Sequence, residues 1–365
     1  MPAGREPRIK IPHPSDERAR LEAETTRTHP PPESPLRRPL PKRPSSFVLN
    51  VRTLPAAWLA AWHPPVAGLA ACLRLLKLTF VTGTPLYTSP RPRGFVRVSG
   101  PDAASYLQRM VSNDVEALAP GEACEALLLT ARARIVAPMT VFRRSADDYL
   151  LRTEPDLAER LRSELLRFRF AAKCQIEPEE HESLLVLGAE PPEGAIPNAD
   201  YGVPAYELLD RVVPEGSEAI GDDELEGLRI RARTPRMGRE LDDRVLPAEA
   251  GLEERAISFT KGCYPGQEPV ARLHYRGHPN RGLRVLSLEG SELPIYDAEL
   301  TLDGKAVGRV TSAVADGRGG VLALAYVRRE VAADALLDLD GRAVRQLADD
   351  EAPFDGALHS LLPRP

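Results

Sequence analysis

The sequence predicts an α+β fold that ends in a small antiparallel β-domain, and three observations carry that prediction. Short apolar runs alternate with stretches of helical apolar spacing from about residue 86 onward. From about residue 282 the helical spacing nearly disappears. In that last part Asp-Gly pairs punctuate the strands, at Asp303-Gly304, Asp316-Gly317 and Asp340-Gly341. Such pairs favour tight hairpins, because both central residues of a type I′ turn take positive φ.

The elements follow in order. Phe95 to Val98 reads as a strand, and Ser99-Gly100-Pro101-Asp102 then starts a helix, with proline in its first turn. Ala103, Tyr106, Leu107, Met110 and Val111 form its buried stripe, and Asn113-Asp114 closes it. Cys124 to Leu129, Ile135 to Phe142 and Tyr149 to Arg152 read as strands, the last two joined at Asp147-Asp148. Thr153-x-x-Asp156 has capping-box spacing and launches a helix whose apolar face is Leu157, Leu161, Leu165 and Phe168. Ser183 to Leu187 is a further strand, and Leu225, Leu228 and Ala232 mark a further helix. Strands at Leu283–Leu288, Ala298–Leu302, Ala306–Thr311 and Val321–Tyr326 fit a small antiparallel barrel or a sandwich.

Composition separates the first part of the chain from the rest. Residues 1–46 hold eleven of the 36 prolines and a local charge of +4, against −5 for the whole chain. They read as disordered. The more apolar stretch after them is broken by His63-Pro64-Pro65 and carries Arg74 and Lys77, so it offers no membrane span. Ala67 to Leu78 has the spacing of one short amphipathic helix. After Met1 the next methionine is Met110, inside the folded pattern; a start site assigned too far upstream would explain residues 1–84, and peptides from residues 1–46 in the native protein would exclude it. The division expected is 1–84 as a low-order extension, 85–281 as the main domain, 282–347 as the barrel and 348–365 as a tail.

The body left after the basic extension is acidic, which gives no nucleic-acid footprint as a whole and confines any anion site to a local basic patch. Direct nucleic-acid and membrane partners are therefore not expected. The four cysteines, Cys72, Cys124, Cys174 and Cys263, are far apart and form no C-x-x-C pair. That argues against a disulfide scaffold, a zinc site or a cluster site, and for a reducing cytoplasm. No P-loop or dinucleotide fingerprint occurs.

The densest chemical feature is Lys261-Gly262-Cys263-Tyr264-Pro265-Gly266-Gln267-Glu268. Gly262 and Gly266 are expected to allow close backbone approach, with Pro265 stiffening the turn. Cys263 lies near Lys261 and Arg272 in sequence, which favours thiolate if the groups meet in space. Gln267 and Glu268 offer an amide and a carboxylate to a polar heterocycle. Arg272, His274, Arg276, His278 and Arg281 make the next stretch strongly basic. The plainer reading is a tight inter-domain turn with a buried cysteine and a solvated basic strand.

The eight residues resemble the K-G-C-Y-x-G-Q-E signature of the YgfZ-type folate-binding proteins, relatives of the glycine-cleavage aminomethyltransferase. Gly100-Pro101-Asp102-Ala103, Tyr106-Leu107-Gln108 and Ser112-Asn113-Asp114-Val115 are similar to the family's N-terminal run. So are Leu228-Arg229-Ile230 with Pro235, Ala256-Ile257-Ser258-Phe259, Val270-Ala271-Arg272, Arg276-Gly277 and Gly308-Arg309-Val310-Thr311-Ser312. The resemblance covers about residues 86 to 330. It implies a three-part aminomethyltransferase-like fold around a central cleft that binds tetrahydrofolate or a folate derivative, with a C-terminal antiparallel β-barrel. It also implies service to iron–sulfur enzymes or their assembly factors, with an effect on tRNA modification. On this basis Cys263 is the candidate reactive thiol with Lys261 beside it. Gly262, Tyr264, Gly266, Gln267, Glu268, Arg272, Arg229 and Asn113 are the candidate cofactor contacts.

Two departures from the family pattern matter. Aminomethyltransferases carry an acidic pair that falls here at Ala137-Pro138, and no Asp or Glu occurs from Ala131 to Phe142. That removes the evident acid/base source for a one-carbon transferase and favours the folate-binding branch. Arg231 and Arg233 stand where the family has an acidic residue and a glycine, and two extra cations would suit a polyglutamylated folate. A transferase and a non-catalytic interaction module are the alternative functions.

Overall fold

A computed structural model describes residues 86–348. The expected extension over 1–84, its helix at 67–78 and the tail beyond 348 lie outside the described residues.

The chain begins with β1 (Tyr87–Pro90), β2 (Gly94–Ser99), α1 (Ala103–Met110), β3 (Ala123–Leu129), β4 (Ile135–Ser145) and β5 (Asp148–Thr153). A short 3-10 turn leads into α2 (Ala158–Arg167), then β6 (Gln175–Glu179), β7 (Ser183–Leu187), β8 (Ile196–Pro197), β9 (Ala205–Leu209) and β10 (Glu218–Ala219). Next come α3 (Asp222–Arg231), α4 (Glu253–Ala256) and α5 (Gln267–Arg276). The last part holds β11 (Arg281–Leu288), β12 (Glu299–Leu302), β13 (Lys305–Ala315), β14 (Val321–Arg328), β15 (Leu337–Leu339) and β16 (Arg342–Gln346).

The fold is a mixed α+β architecture in three parts. One sheet has the order β3-β4-β5-β2-β6 and is antiparallel throughout. Its strands alternate between two cores, as a period of two requires. Val96, Val98, Tyr149 and Leu151 meet the stripe Tyr106 and Leu107 of α1 and Leu161 and Leu165 of α2. Phe95, Phe142 and Leu150 point the other way and meet Ile196 of the second sheet. That second sheet has the order β10-β1-β7-β9-β8, with only the β1–β10 pair parallel. Leu225 and Leu228 of α3 pack on it beside Leu185 and Leu187.

The third part is a closed six-stranded barrel, β11-β14-β13-β12-β15-β16, which decides between barrel and sandwich. Leu286, Leu300, Val310, Ala323, Ala325 and Val344 fill its interior. Its outer face is not all solvent: Val285, Val314, Leu322 and Leu324 pack on Ile230 of α3. β14 is therefore buried on both faces from Val321 to Val327, which explains its unbroken apolar run.

Three local expectations need correction. The Thr153 hydroxyl does not cap α2; it donates to the Pro138 carbonyl at 2.8 Å, and the helix starts after the turn Pro155–Leu157. Phe168 follows that helix and is 40% exposed, so the buried face is Leu157, Leu161 and Leu165. Asp303-Gly304 and Asp340-Gly341 take positive φ at both positions, but Asp316 does not. Its carboxylate accepts the Arg318 and Gly320 amides instead and folds a wider loop.

Candidate functional site

The signature segment is held between the first sheet and the barrel. Tyr264 is buried with Leu127, Leu129, Ile135, Leu252, Val270 and Tyr326, and burial pushes its phenol up to about 12. Lys261 turns inward. Its ammonium donates to the carbonyls of Val111 and Asn113, both at 2.7 Å, and lies 5.4 Å from the Tyr264 ring centre. Burial lowers it to about 8. The charge of Lys261 also acts on Cys124, whose thiol burial nevertheless pushes up to about 12. Cys263 is exposed, not buried as the plainer reading had it.

Two glycines of the signature behave differently. A Cβ on Gly266 would lie 2.5 Å from the Thr130 carbonyl oxygen and 3.1 Å from Cα of Ala133, and its φ is +82°. Only glycine lets the chain pass this close to the β3–β4 turn. Gly262 has open space around its Cβ position and no positive φ, so the expected close approach at that residue is absent. The basic stretch after the signature is the helix α5, not a strand. Gln267 and Glu268 form its first turn, and Glu268 and Arg272 are exposed.

Asn113 bridges parts of the fold. Its side-chain amide donates to the carbonyls of Glu125 and Arg255, and its oxygen accepts the Asp114 amide. Arg229 is 4% exposed, and each of its five N–H groups is used: Nε and Nη2 on Glu226, Nη1 on Thr234 and Glu240, and Nη2 again on Ser312. It fastens α3 to the barrel and has no donor left over for a ligand.

Sequence reasoning missed a buried polar cluster centred on Glu207. It sits beside a solvent-open cleft with about 640 Å³ of empty space. Pro138, Met139, Tyr201, Pro235 and Met237 supply apolar walls, and Arg91 and Arg236 stand among its cations. Behind it Glu207 of β9 is fully buried. It accepts from Arg93 at 3.0 Å, Arg152 at 2.7 Å, Ser183 at 2.9 Å and Asn198 at 2.8 Å. Burial pushes its carboxyl up, but the Arg152 and Arg93 guanidiniums outweigh that and hold it down at about 2. The sequence did hold a signal: a single Glu inside the otherwise apolar strand Ala205–Leu209.

Of the residues expected at the cofactor, Arg229 lines this cleft, and Asn113 joins it by holding the backbone of Glu125, another lining residue. Lys261, Gly262, Cys263, Tyr264, Gly266, Gln267, Glu268 and Arg272 are not among its lining residues. Arg231 and Arg233 do not line it either. The charge of Arg318 acts on Arg231 and the charge of Arg233 acts on Arg284, so both residues bear on the barrel side. Arg233 has φ +53°, the conformation a glycine would supply there. The carboxylates at the cleft are already engaged: Glu125 with Arg255, and Glu154 and Asp200 with Arg93.

Comparison with known proteins agrees with this architecture. The family model GCVT N-terminal domain matches residues 93–188. The tRNA-modifying protein YgfZ of Edwardsiella ictaluri is 30% identical, over 71% of this chain and 89% of that protein. The YgfZ of Yersinia pestis strain Pestoides F is 25% identical, over 80% and 96%. The glycine cleavage system aminomethyltransferase T of Bartonella henselae superposes with a TM-score of 0.63 at 20% identity, covering 73% of this chain and 86% of that one. Among the described residues no helix is long and apolar enough to cross a membrane.

Proposed function

The chain belongs to the YgfZ family, and from that premise we propose that it is a cytoplasmic tetrahydrofolate-binding protein that supports iron–sulfur enzymes, and through them tRNA modification. The observation that carries the folate part is the cleft between β4, the Asp200–Tyr201 loop and the segment after α3. Its composition fits the ligand. A flat heterocycle would rest among Met139, Pro138, Tyr201 and Pro235, and the carboxylates of a glutamyl tail would meet Arg91 and Arg236. Folate supplies a one-carbon carrier when bound. The residues of this chain bind and orient it: Glu207 fixes Arg93 and Arg152 behind the cleft, and Asn113 fixes the Glu125 wall.

The wall at β4 argues against turnover as an aminomethyltransferase. Ala137 and Pro138 stand where the family's acidic pair would fall, and the three lining carboxylates are paired with arginines. An assay with methylamine-loaded lipoyl protein is therefore expected to show no tetrahydrofolate-dependent product.

Thermal unfolding with tetrahydrofolate tests the binding. A ligand at a hundredfold its Kd adds about 2.7 kcal/mol to the native state. The shift is expected to shrink in Arg91→Glu and in Arg236→Glu. No shift at millimolar ligand refutes the folate reading. The cellular part is read from modified nucleosides in the tRNA of a deletion strain, which wild type should restore and Arg91→Glu should not.

A further inference from the structure

The groove between the β3–β4 turn and α5 has a composition unlike the rest of this acidic chain. It is open to solvent and is lined by Arg132, Arg134, Arg272 and Arg276, with Leu246 and Leu273 among its apolar residues and no carboxylate. Among the described residues Arg132, Arg272 and Arg276 make neither ion pair nor side-chain hydrogen bond. Arg134 spends one N–H on the Arg244 carbonyl. Glu268 stands one turn before Arg272 but forms no ion pair with it. Four neighbouring guanidiniums without counter-charge repel one another, so a bound anion would relieve a standing cost.

Gly266 is what brings the four together. The Arg132–Arg134 pair sits on the turn that Gly266 touches, and Arg272 and Arg276 sit on the helix that Gly266 starts. A side chain at Gly266 would push the turn and the helix apart. The signature thus shapes this groove more directly than it shapes the folate cleft.

We infer that this groove binds the phosphate backbone of a single-stranded RNA segment. Arg272 and Arg276 are one helical turn apart, about 6 Å, with the other pair on the opposite wall, so the forks can take successive phosphates. Tyr275, beside Arg272 on the helix, is 67% exposed. Tyr275 flanks the groove without lining it, and its ring makes T-shaped contacts with His274 at 4.8 Å and Phe259 at 6.0 Å, so its exposed part offers an aromatic surface on which an unpaired base can stack. An acidic protein surface would satisfy the arginines but would make no use of that face. The expectation of no direct nucleic-acid partner came from the charge of the whole body, and this groove is a local exception. The acidity around it limits the contact to a few nucleotides.

The test uses the full chain and a labelled, unstructured ten-nucleotide RNA, followed by fluorescence anisotropy from 50 to 200 mM salt. Four phosphate contacts on a single strand give a slope of about −2.8 in log K against log salt, about a 50-fold loss over that range. Arg132→Gln with Arg276→Gln should bring the slope to about −1.4, and Tyr275→Ala should weaken binding at least about fivefold with little change in slope. Tetrahydrofolate should still stabilise the double-arginine variant, which separates failure here from failure of the folate reading. No binding at 50 mM salt, equal affinity in the double variant, or equal competition by a polyglutamate peptide of matched charge overturns the inference.

Discussion

Replacing Glu207 by Gln keeps the side-chain shape and removes one buried negative charge, leaving Arg93 and Arg152 of the first sheet without the second-sheet carboxylate that both engage. Removing one partner of a buried ion pair costs about 3–5 kcal/mol, because the other charge stays desolvated. Linkage gives an independent figure. The carboxyl is held at about 2 in the folded state, below its ordinary value of 4.5. Its contribution is therefore present above about pH 5 and is lost as pH falls toward 2, and the total is about 3 kcal/mol. By pH 3 about 2 kcal/mol of that has gone. Urea unfolding of both proteins at pH 7 and pH 3 is the assay. The gap between wild type and Glu207→Gln should be about 3 kcal/mol or more at neutral pH and should narrow by about 2 kcal/mol at pH 3. A neutral-pH gap below about 1 kcal/mol, or a gap that does not change with pH, would refute the reasoning that this carboxylate holds the two sheets together.

Gly266→Ala should lower stability by several kcal/mol, since about 1–2 kcal/mol of left-handed strain adds to the overlap with Thr130; Gly262→Ala, with open space around it, should change the melting temperature little. Lys261→Met leaves the Val111 and Asn113 carbonyls without their donor and should cost about 1–3 kcal/mol in denaturant unfolding. Because burial lowers Lys261 to about 8 from 10.5, the unfolded chain binds the extra proton between those values, so this group adds stability as pH rises through that window; the difference between wild type and Lys261→Met should follow that course. Native-state alkylation read by mass spectrometry should label exposed Cys263 long before half-buried Cys124 and buried Cys174.

The parts of the fold that were legible are those whose burial follows a local rule. The stripe of α1 and the strands at Ile135, Tyr149 and Ser183 show regular apolar spacing and were placed within a few residues of their observed bounds. α5 was not legible as a helix, because only Val270 of its ten residues is buried and the rest read as a charged run. β9 was hidden by Glu207, whose burial is offset by arginines from the β2 entry and from β5, more than fifty residues away in sequence. The same fact hid the cleft. The signature, by contrast, was visible at once, but not that the side chains of Lys261 and Tyr264 face inward, since the carbonyls and apolar residues they meet lie far away in sequence.

The attachment of the barrel has a consequence for how this chain can be divided. Residues 281 to 346 look like a self-contained unit in strand order, yet Leu322 and Leu324 share their core with Ile230, and the Ser312 hydroxyl accepts from Arg229 and donates to Glu240. Expressed alone, the barrel would show that apolar face and its unpaired hydroxyl to water. Exchange of the C-terminal part between relatives should therefore succeed only where α3 and the Glu240 segment travel with it. A cut at the start of the barrel divides one packed core, and α3, which completes that core, also packs on the second sheet.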